Sequence, residues 1–532
     1  MSKQTLPYQE TGYFSKLMSD YLSQDESLKH FYGRFPKLKN FKTQIQEKKL
    51  SVRAELRITL LTQLNEQYRG TEVSEATQTN IDSLSSENTF TITTGHQLNL
   101  FTGPLYFLYK IFSVINLSET LKKKHPKLHF VPVYWMATED HDFEEISFFN
   151  CFGNKYTWNR SSGGVVGELS TEGLDEVLMQ FKKDLGETDN AKRLISLFSE
   201  AYVKHDNLAD ATRYLGNELF KTYGLVIIDG NDAELKKAFV PFAKKELDEQ
   251  LSYKMVTETT SRITALGYPE QVHPREINLF YLTKGSRERI IEKDGKFFIN
   301  NTQKVFSETE IHNELDQHPE RFSPNALLRP LYQEVILPNL CYVGGGGELA
   351  YWFQLKDYFD AVDIPFPILL LRNSVLLAPR KYFRKLQKLG LKTSDLFQKQ
   401  ETLKANFIKR LSEIPIDFSQ QKEHLKKQFE ALYKLANQTD ASFKGAVGAQ
   451  EKKQLNGLDH LEKRLLKAQK RKFIDQLDSL EAIQNTLFPK QSLQERTVNF
   501  AEFYLEYGDI LLSELKNNLD PLEPNFTILE LG

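Results

Sequence analysis

The spacing of apolar positions changes character twice along the chain. Up to residue 88 it is helical: Tyr13, Leu17, Tyr21 and Leu22 share one face, and Val52, Leu56, Leu60, Leu61 and Leu64 form a second pattern. This opening stretch reads as a helical cover packed on a core. From Phe90 onward the pattern becomes short, nearly continuous apolar runs at 90–93, 129–136, 225–229, 340–343 and 366–371, separated by helical segments. Such runs are how strands of a parallel sheet covered on both faces read, so an α/β core is predicted. A long apolar helix follows the first strand, its run from Leu105 to Leu117 broken by Lys110 and Asn116. Two interruptions of the core are predicted. One, at about 151–222, has short alternating segments around Gly163-Gly164 and then helices; the other, at about 277–326, has a hairpin turning at Asp294-Gly295. Beyond Pro379 the strand signals stop until about Phe488. Leu425, Phe429, Leu432 and Ala436, then Leu458, Leu461, Leu465 and Ala468 and on through Phe473 to Leu487, trace the stripes of an antiparallel helical hairpin with a phase shift near Lys472. Gly445 and Gly448 are expected at its tip. The predicted division is therefore 1–88 cover, 89–378 core with insertions, 379–489 helical arm and 490–532 return to the core.

Charge narrows the partners. Lys and Arg total 69 against 71 Asp and Glu, a net charge of −2, so no general basic field points to nucleic acid or to an anionic membrane. The apolar run at 105–117 is too interrupted for a membrane span, and the first residues show no basic-then-apolar signal pattern. Cys151 and Cys341 lie far apart and match no Cys-x-x-Cys or zinc spacing. A cytoplasmic protein without disulfides, recognising its partners through a site, is expected.

The candidate chemistry clusters where predicted strands end. Thr94-Gly95-His96-Gln97 reads as a sharp turn, with Gly95 supplying backbone freedom, and Gly103-Pro104 as a second turn, so the two bracket His96, Gln97, Asn99 and Thr102 beyond the carboxyl end of the first strand. The second strand runs into Ala137-Thr138-Glu139-Asp140-His141-Asp142, where carboxylates beside an imidazole can orient an amine or exchange protons, or complement a helix N-terminus. With one histidine and no structural zinc spacing, no metal site is expected there. Gly344-Gly345-Gly346-Gly347-Glu348 lacks the Lys and Ser/Thr of a phosphate-binding P-loop. It reads instead as close approach of backbone to a substrate, with Glu348 a partner for an amine. Arg372, followed by Asn373, is placed to neutralise a carboxylate or phosphate or to form a structural ion pair.

Thr94-Gly95-His96-Gln97, Phe101-Thr102-Gly103-Pro104, the segment from Trp135 to Asp142, Arg329-Pro330, Gly344 to Glu348 and Gln494-Glu495-Arg496 together resemble the bacillithiol-biosynthesis cysteine ligase family, BshC, over essentially the whole chain. The resemblance implies a Rossmann-like parallel-sheet core with connecting-peptide insertions and an α-helical antiparallel coiled-coil arm that makes a homodimer. It implies a ligase adding cysteine to glucosaminyl malate in the last step of bacillithiol synthesis, using ATP or another adenine nucleotide, with Mg accompanying the nucleotide. From their place at the strand ends, His96, Asp140 and His141 are expected to converge as catalytic groups at one cleft, with Gly344 to Glu348 on its other wall. Substrate would be held by Gly95, Gln97, Asn99, Glu139, Arg329, Gly344, Gly345, Gly346, Gly347, Glu348, Arg372, Asn373 and Arg496. The core further resembles nucleotidyltransferases and class I aminoacyl-tRNA synthetases, but Thr93-Thr94-Gly95-His96 lacks the first histidine of their motif and Lys284-Gly285-Ser286-Arg287 is a faint echo of their lysine-bearing one. A nucleotidyltransferase-like enzyme with another acceptor, or a noncatalytic nucleotide-binding scaffold, are the alternative readings.

Overall fold

The computed structural model describes residues 2–532. The chain forms two compact units, one built from Lys3–Leu376 with Gln494–Leu529, the other from Leu377–Leu493 with the terminal residues.

In the larger unit a five-stranded sheet carries β1 (Thr89–His96), β2 (His129–Met136), β3 (Val226–Asp229), β4 (Asn339–Gly344) and β5 (Ile368–Leu371) in the order β5-β4-β1-β2-β3. Every neighbouring pair is parallel. This is a Rossmann-like arrangement, and its strand order reverses between β1 and β4, opening a crevice at the carboxyl ends of those two strands. β1 is buried along its whole length although it contains four threonines. Thr93 Oγ1 and Thr91 Oγ1 donate to Asn339 Oδ1 at 2.9 and 3.3 Å, and Thr94 Oγ1 to the Val343 carbonyl at 2.7 Å, so these hydroxyls tie β1 to β4 instead of lying unsatisfied. Helix α1 (Tyr106–Lys124) covers the sheet and buries both β1 and β2.

Three local expectations are corrected. β1 does not turn at Thr94; it stays paired through Gly95↔Trp135 and His96↔Met136. Gly95 has no unusual backbone angle; it serves close approach, since a β-carbon there would sit a tight 3.1 Å from Tyr342 Oη. The opening segment is not all helix: Lys3–Pro7 is a strand, paired antiparallel with Asn525–Leu531 from Lys3↔Leu529 to Pro7↔Asn525. In the smaller unit α3 (Ser419–Ala436) runs against α4 (Ala441–Lys472), and α4 breaks at Phe473 before α5 (Ile474–Leu487). The tip therefore lies between Ala436 and Ala441, where Asp440 caps α4 by accepting from Phe443 N–H at 2.8 Å, while Gly445 and Gly448 lie inside the helix. A β-carbon at Gly448 would stand 3.1 Å from Tyr433 Oη, so that glycine serves close approach of α3.

The second interruption forms its own antiparallel sheet of five strands, with Leu279–Thr283 and Ser286–Lys293 as neighbours and the hairpin at Asp294-Gly295 joining Ser286–Lys293 to Lys296–Ile299. The first holds a β-hairpin, Phe148–Cys151 with Asn154–Thr157, followed by helices Leu174–Leu185, Asp189–Tyr202 and Leu208–Phe220.

Candidate functional site

A cavity of about 560 Å³ opens at the carboxyl ends of β1, β2 and β4. Gly95, His96 and Gln97 reach it from the end of β1, Glu139, Asp140 and His141 from the end of β2, and Arg329 and Glu348 from the elements flanking β4. The opposite wall comes from the inserted sheet and the segment before it, through Arg275, Phe280, Arg287 and Arg289.

His96 is buried, and its Nε2 lies 3.3 Å from the Thr102 carbonyl, which fixes the proton on Nε2. Burial, reinforced by the nearby Lys110 and Arg372 charges, holds its imidazole well below the ordinary value of 6.5. A neutral imidazole supplies no positive charge to the cavity. The sign of its pH effect follows: the folded protein binds this proton less readily than the unfolded chain, so the contribution to stability is complete above about pH 6.5 and is lost as pH falls towards the depressed folded value. Urea midpoints measured between pH 7.5 and 5 should therefore fall more steeply for wild type than for His96→Gln, whose amide keeps the Nε2–H donor; parallel curves are the contrary result.

Asp140 Oδ2 accepts from Gln97 Nε2 at 2.8 Å, and its Oδ1 accepts from His141 N–H at 2.7 Å, so the carboxylate is aimed by both strand ends. Glu139 pairs with the buried Lys236 at 2.6 Å. Glu348 Oε1 lies 2.5 Å from Lys110 Nζ, and Oε2 accepts from Gly345 N–H at 2.8 Å at the start of helix α2 (Gly346–Trp352). Glu348 is thus already engaged by an amine of the protein. Lys110 also donates to the Gly95 carbonyl at 2.7 Å, and burial pulls its ammonium below its usual range while Glu348 draws it back. Four guanidinium groups line the cavity, those of Arg275, Arg287, Arg289 and Arg329, and among the described residues none of them makes a carboxylate ion pair. Arg329 donates from Nη1 to Gln333 Oε1 at 3.0 Å and leaves Nη2 buried without a partner.

The remaining residues expected at the site lie outside this cavity. Gly344 to Gly347 do not line it: a β-carbon at Gly346 would stand 3.1 Å from Met18 Cγ and one at Gly344 3.0 Å from Leu349 Cδ2, so these two serve close packing, while Gly347 has open space around it. Arg372 is buried against Glu495 at 2.8 Å, and Asn373 links Ser113 Oγ to the Asp520 carbonyl, both structural ties to the C-terminal return. Asn99 donates to the Glu145 carbonyl at 3.2 Å, and Arg496 is exposed. Cys151 and Cys341 are buried and burial raises both thiols, which leaves neither as a nucleophile.

The family model described as "Bacillithiol biosynthesis BshC, N-terminal Rossmann-like domain" matches residues 1–373, and the one described as "Bacillithiol biosynthesis BshC, C-terminal coiled-coil domain" matches residues 375–531. The chain belongs to the BshC family. A relative from Flavobacterium johnsoniae, described as "Putative cysteine ligase BshC", is 57% identical over 100% of both chains. Another of the same description, from Christiangramia forsetii, is 56% identical over 100% of both. One from Cytophaga hutchinsonii is 39% identical over 98% of this chain and 97% of its own. The Rossmann-like and coiled-coil parts of the BshC family correspond to the parallel sheet and to the long helices α3 to α5.

Lys110, Tyr342, Arg275, Arg287 and Arg289 escaped the reading of this BshC chain as site residues. For Lys110 a signal existed: a lysine inside an apolar helix needs a buried partner. For Arg287 the one signal was its place in Lys284-Gly285-Ser286-Arg287; for Arg275 and Arg289 there was none, because single arginines among mixed charges read as a solvated face.

Proposed function

We propose that the protein is an ATP-dependent ligase that joins the carboxyl group of cysteine to the amine of glucosaminyl malate, acting in the cytoplasm at the last step of bacillithiol synthesis. The observation that carries this reading is the cavity at the sheet's switch point, lined by Asp140 and by four arginines without carboxylate ion pairs, three of them on the wall opposite the strand ends. Unneutralised guanidinium groups suit the carboxylates of malate and cysteine and the phosphates of a nucleotide, which they can bind bidentately. A carboxylate on the other wall suits an ammonium. These donors fit ATP, and Arg329, with its unpartnered Nη2, together with Arg289 of the inserted sheet and Arg275 before it are the groups that would hold its phosphates; bound there, the nucleotide would supply activation of the cysteine carboxyl. The glucosamine nitrogen then forms the C–N bond as the bond from the cysteinyl carbon to its phosphate-bearing oxygen breaks, and the proton leaving nitrogen passes to Asp140. The relatives' printed description as cysteine ligases supports the same reading.

The test is incubation of purified protein with cysteine, glucosaminyl malate and Mg-ATP. Bacillithiol accompanied by AMP or ADP is the expected result. ATP consumption with no bacillithiol would instead favour a nucleotidyltransferase with another acceptor, and no consumption a binding scaffold.

We further propose that the helical arm makes a homodimer. Leu432, Leu435, Phe443, Leu461 and Ile474 are exposed apolar side chains on α3 to α5, more than one hairpin buries in itself. Deleting 400–487 should convert a dimer into a monomer by light scattering, and an unchanged dimer would place the interface elsewhere.

A further inference from the structure

Arg287, the last residue of Lys284-Gly285-Ser286-Arg287, points from the inserted sheet to the end of β2. Its guanidinium is fixed on three sides. Nε donates to Ser323 Oγ at 3.1 Å, Nη2 donates to the Pro324 carbonyl at 3.0 Å, and the plane lies 4.0 Å from the centre of the Phe280 ring. The hairpin that carries it is pinned as well: a β-carbon at Gly163 would meet the Gly285 carbonyl at 2.8 Å, and one at Gly164 the Gly285 α-carbon at 2.9 Å, so the loop of the first insertion seats the turn of the second. What remains is Nη1, which lies 2.9 Å from His141 Nδ1.

An arginine nitrogen only donates, so His141 Nδ1 must accept. Asp140 Oδ1, 3.8 Å from the same nitrogen, therefore receives no proton from it, and that carboxylate atom is already taken by the His141 N–H. The neutral imidazole carries its hydrogen on Nε2 and offers a donor. Its side chain is half exposed, at 51%, beside the cavity.

We propose that Arg287 is a positioning residue that fixes His141 as the Nε2–H tautomer, making His141 a hydrogen-bond donor to substrate oxygen and leaving Asp140 as the proton acceptor. This rests on the ligase reading for the identity of the substrate oxygen, the carbonyl of cysteine or the phosphate leaving it, but the tautomer itself does not. The assignment divides labour between two neighbouring residues that sequence alone leaves interchangeable.

The test uses full-length protein with isotopically labelled histidine. Two-bond proton–nitrogen spectra, with the His141 signal identified by its loss in His141→Gln, should show the proton on Nε2 in wild type. Arg287→Met should lose that preference and Arg287→Lys should restore part of it. In the ligase assay both His141→Gln and His141→Ala should lose activity, but Ala on the order of tenfold more, because the glutamine amide replaces the Nε2–H donor. A wild-type signal with the proton on Nδ1 overturns the proposal, and so does equal loss in the Gln and Ala variants, which a proton-accepting imidazole requires. The spectra need no turnover, so an inactive protein with the Nε2–H signal would contradict the ligase reading and not the tautomer. If Arg287→Met does not fold, the wild-type spectrum decides alone.

Discussion

Arg372→Met is expected to lower the unfolding free energy by about 3–5 kcal/mol, the cost of breaking a buried ion pair on one side. The pair is nearly sealed: the side chains of Arg372 and Glu495 are 6% and 1% exposed. Glu495 Oε1 takes Arg372 Nη2 at 2.8 Å and Oε2 takes the Val375 N–H at 2.9 Å, while Arg372 Nη1 donates to the Asn373 carbonyl at 2.9 Å. Removing the guanidinium leaves a buried carboxylate that keeps the Val375 N–H and loses its counter-charge. The double variant Arg372→Met, Glu495→Met should recover most of the loss, since two packed apolar groups carry no desolvation penalty. Urea unfolding with an unchanged m-value reads both. A variant that keeps wild-type stability and loses only substrate affinity would return Arg372 to the ligand-binding role first read from its position after β5.

Lys110→Met is expected to reduce turnover on the order of a hundredfold, with a stability loss of about 1–3 kcal/mol. The ammonium joins the Gly95 carbonyl at the end of β1 to Glu348 at the start of α2, the two sides of the crevice. Without it the direct tie between the Gly95 carbonyl and Glu348 is lost, and Gln97, which bonds Asp140 just beyond the last β1–β2 pair, loses support on that side. Turnover in the ligase assay and the urea midpoint should move together, turnover far more. Loss of stability with full turnover would show that Lys110 serves packing alone.

Which parts of this architecture were legible follows from the reach of the forces that set them. β2 was read at its observed bounds because burial on both faces leaves a continuous apolar run. The break after Lys472 was likewise visible as a slip in heptad phase. Gly95 was assigned to a turn because sequence shows a glycine but not the Tyr342 hydroxyl that would crowd a β-carbon, a contact made across the sheet. The arm's tip was misplaced for a local reason: glycines outweighed Asp440, whose cap starts the helix. At the site, His96, Asp140 and His141 were placed near one cavity from the rule that parallel strands end on one edge. The rule says nothing about insertions, so the arginine wall stayed hidden. Lys3–Pro7 was missed because its polar residues become a strand only through a partner at the far end of the chain.

The central claim is that chemistry occurs in the cavity at the switch point, and turnover of His96→Ala and Asp140→Asn in the reconstituted ligase reaction tests it most directly. Both proteins should fold as wild type by circular dichroism, and both should lose turnover on the order of a hundredfold or more, Asp140→Asn because an amide takes no proton and His96→Ala because the loop at Thr102 loses its anchor. Wild-type turnover and substrate affinity in both folded variants would contradict the account.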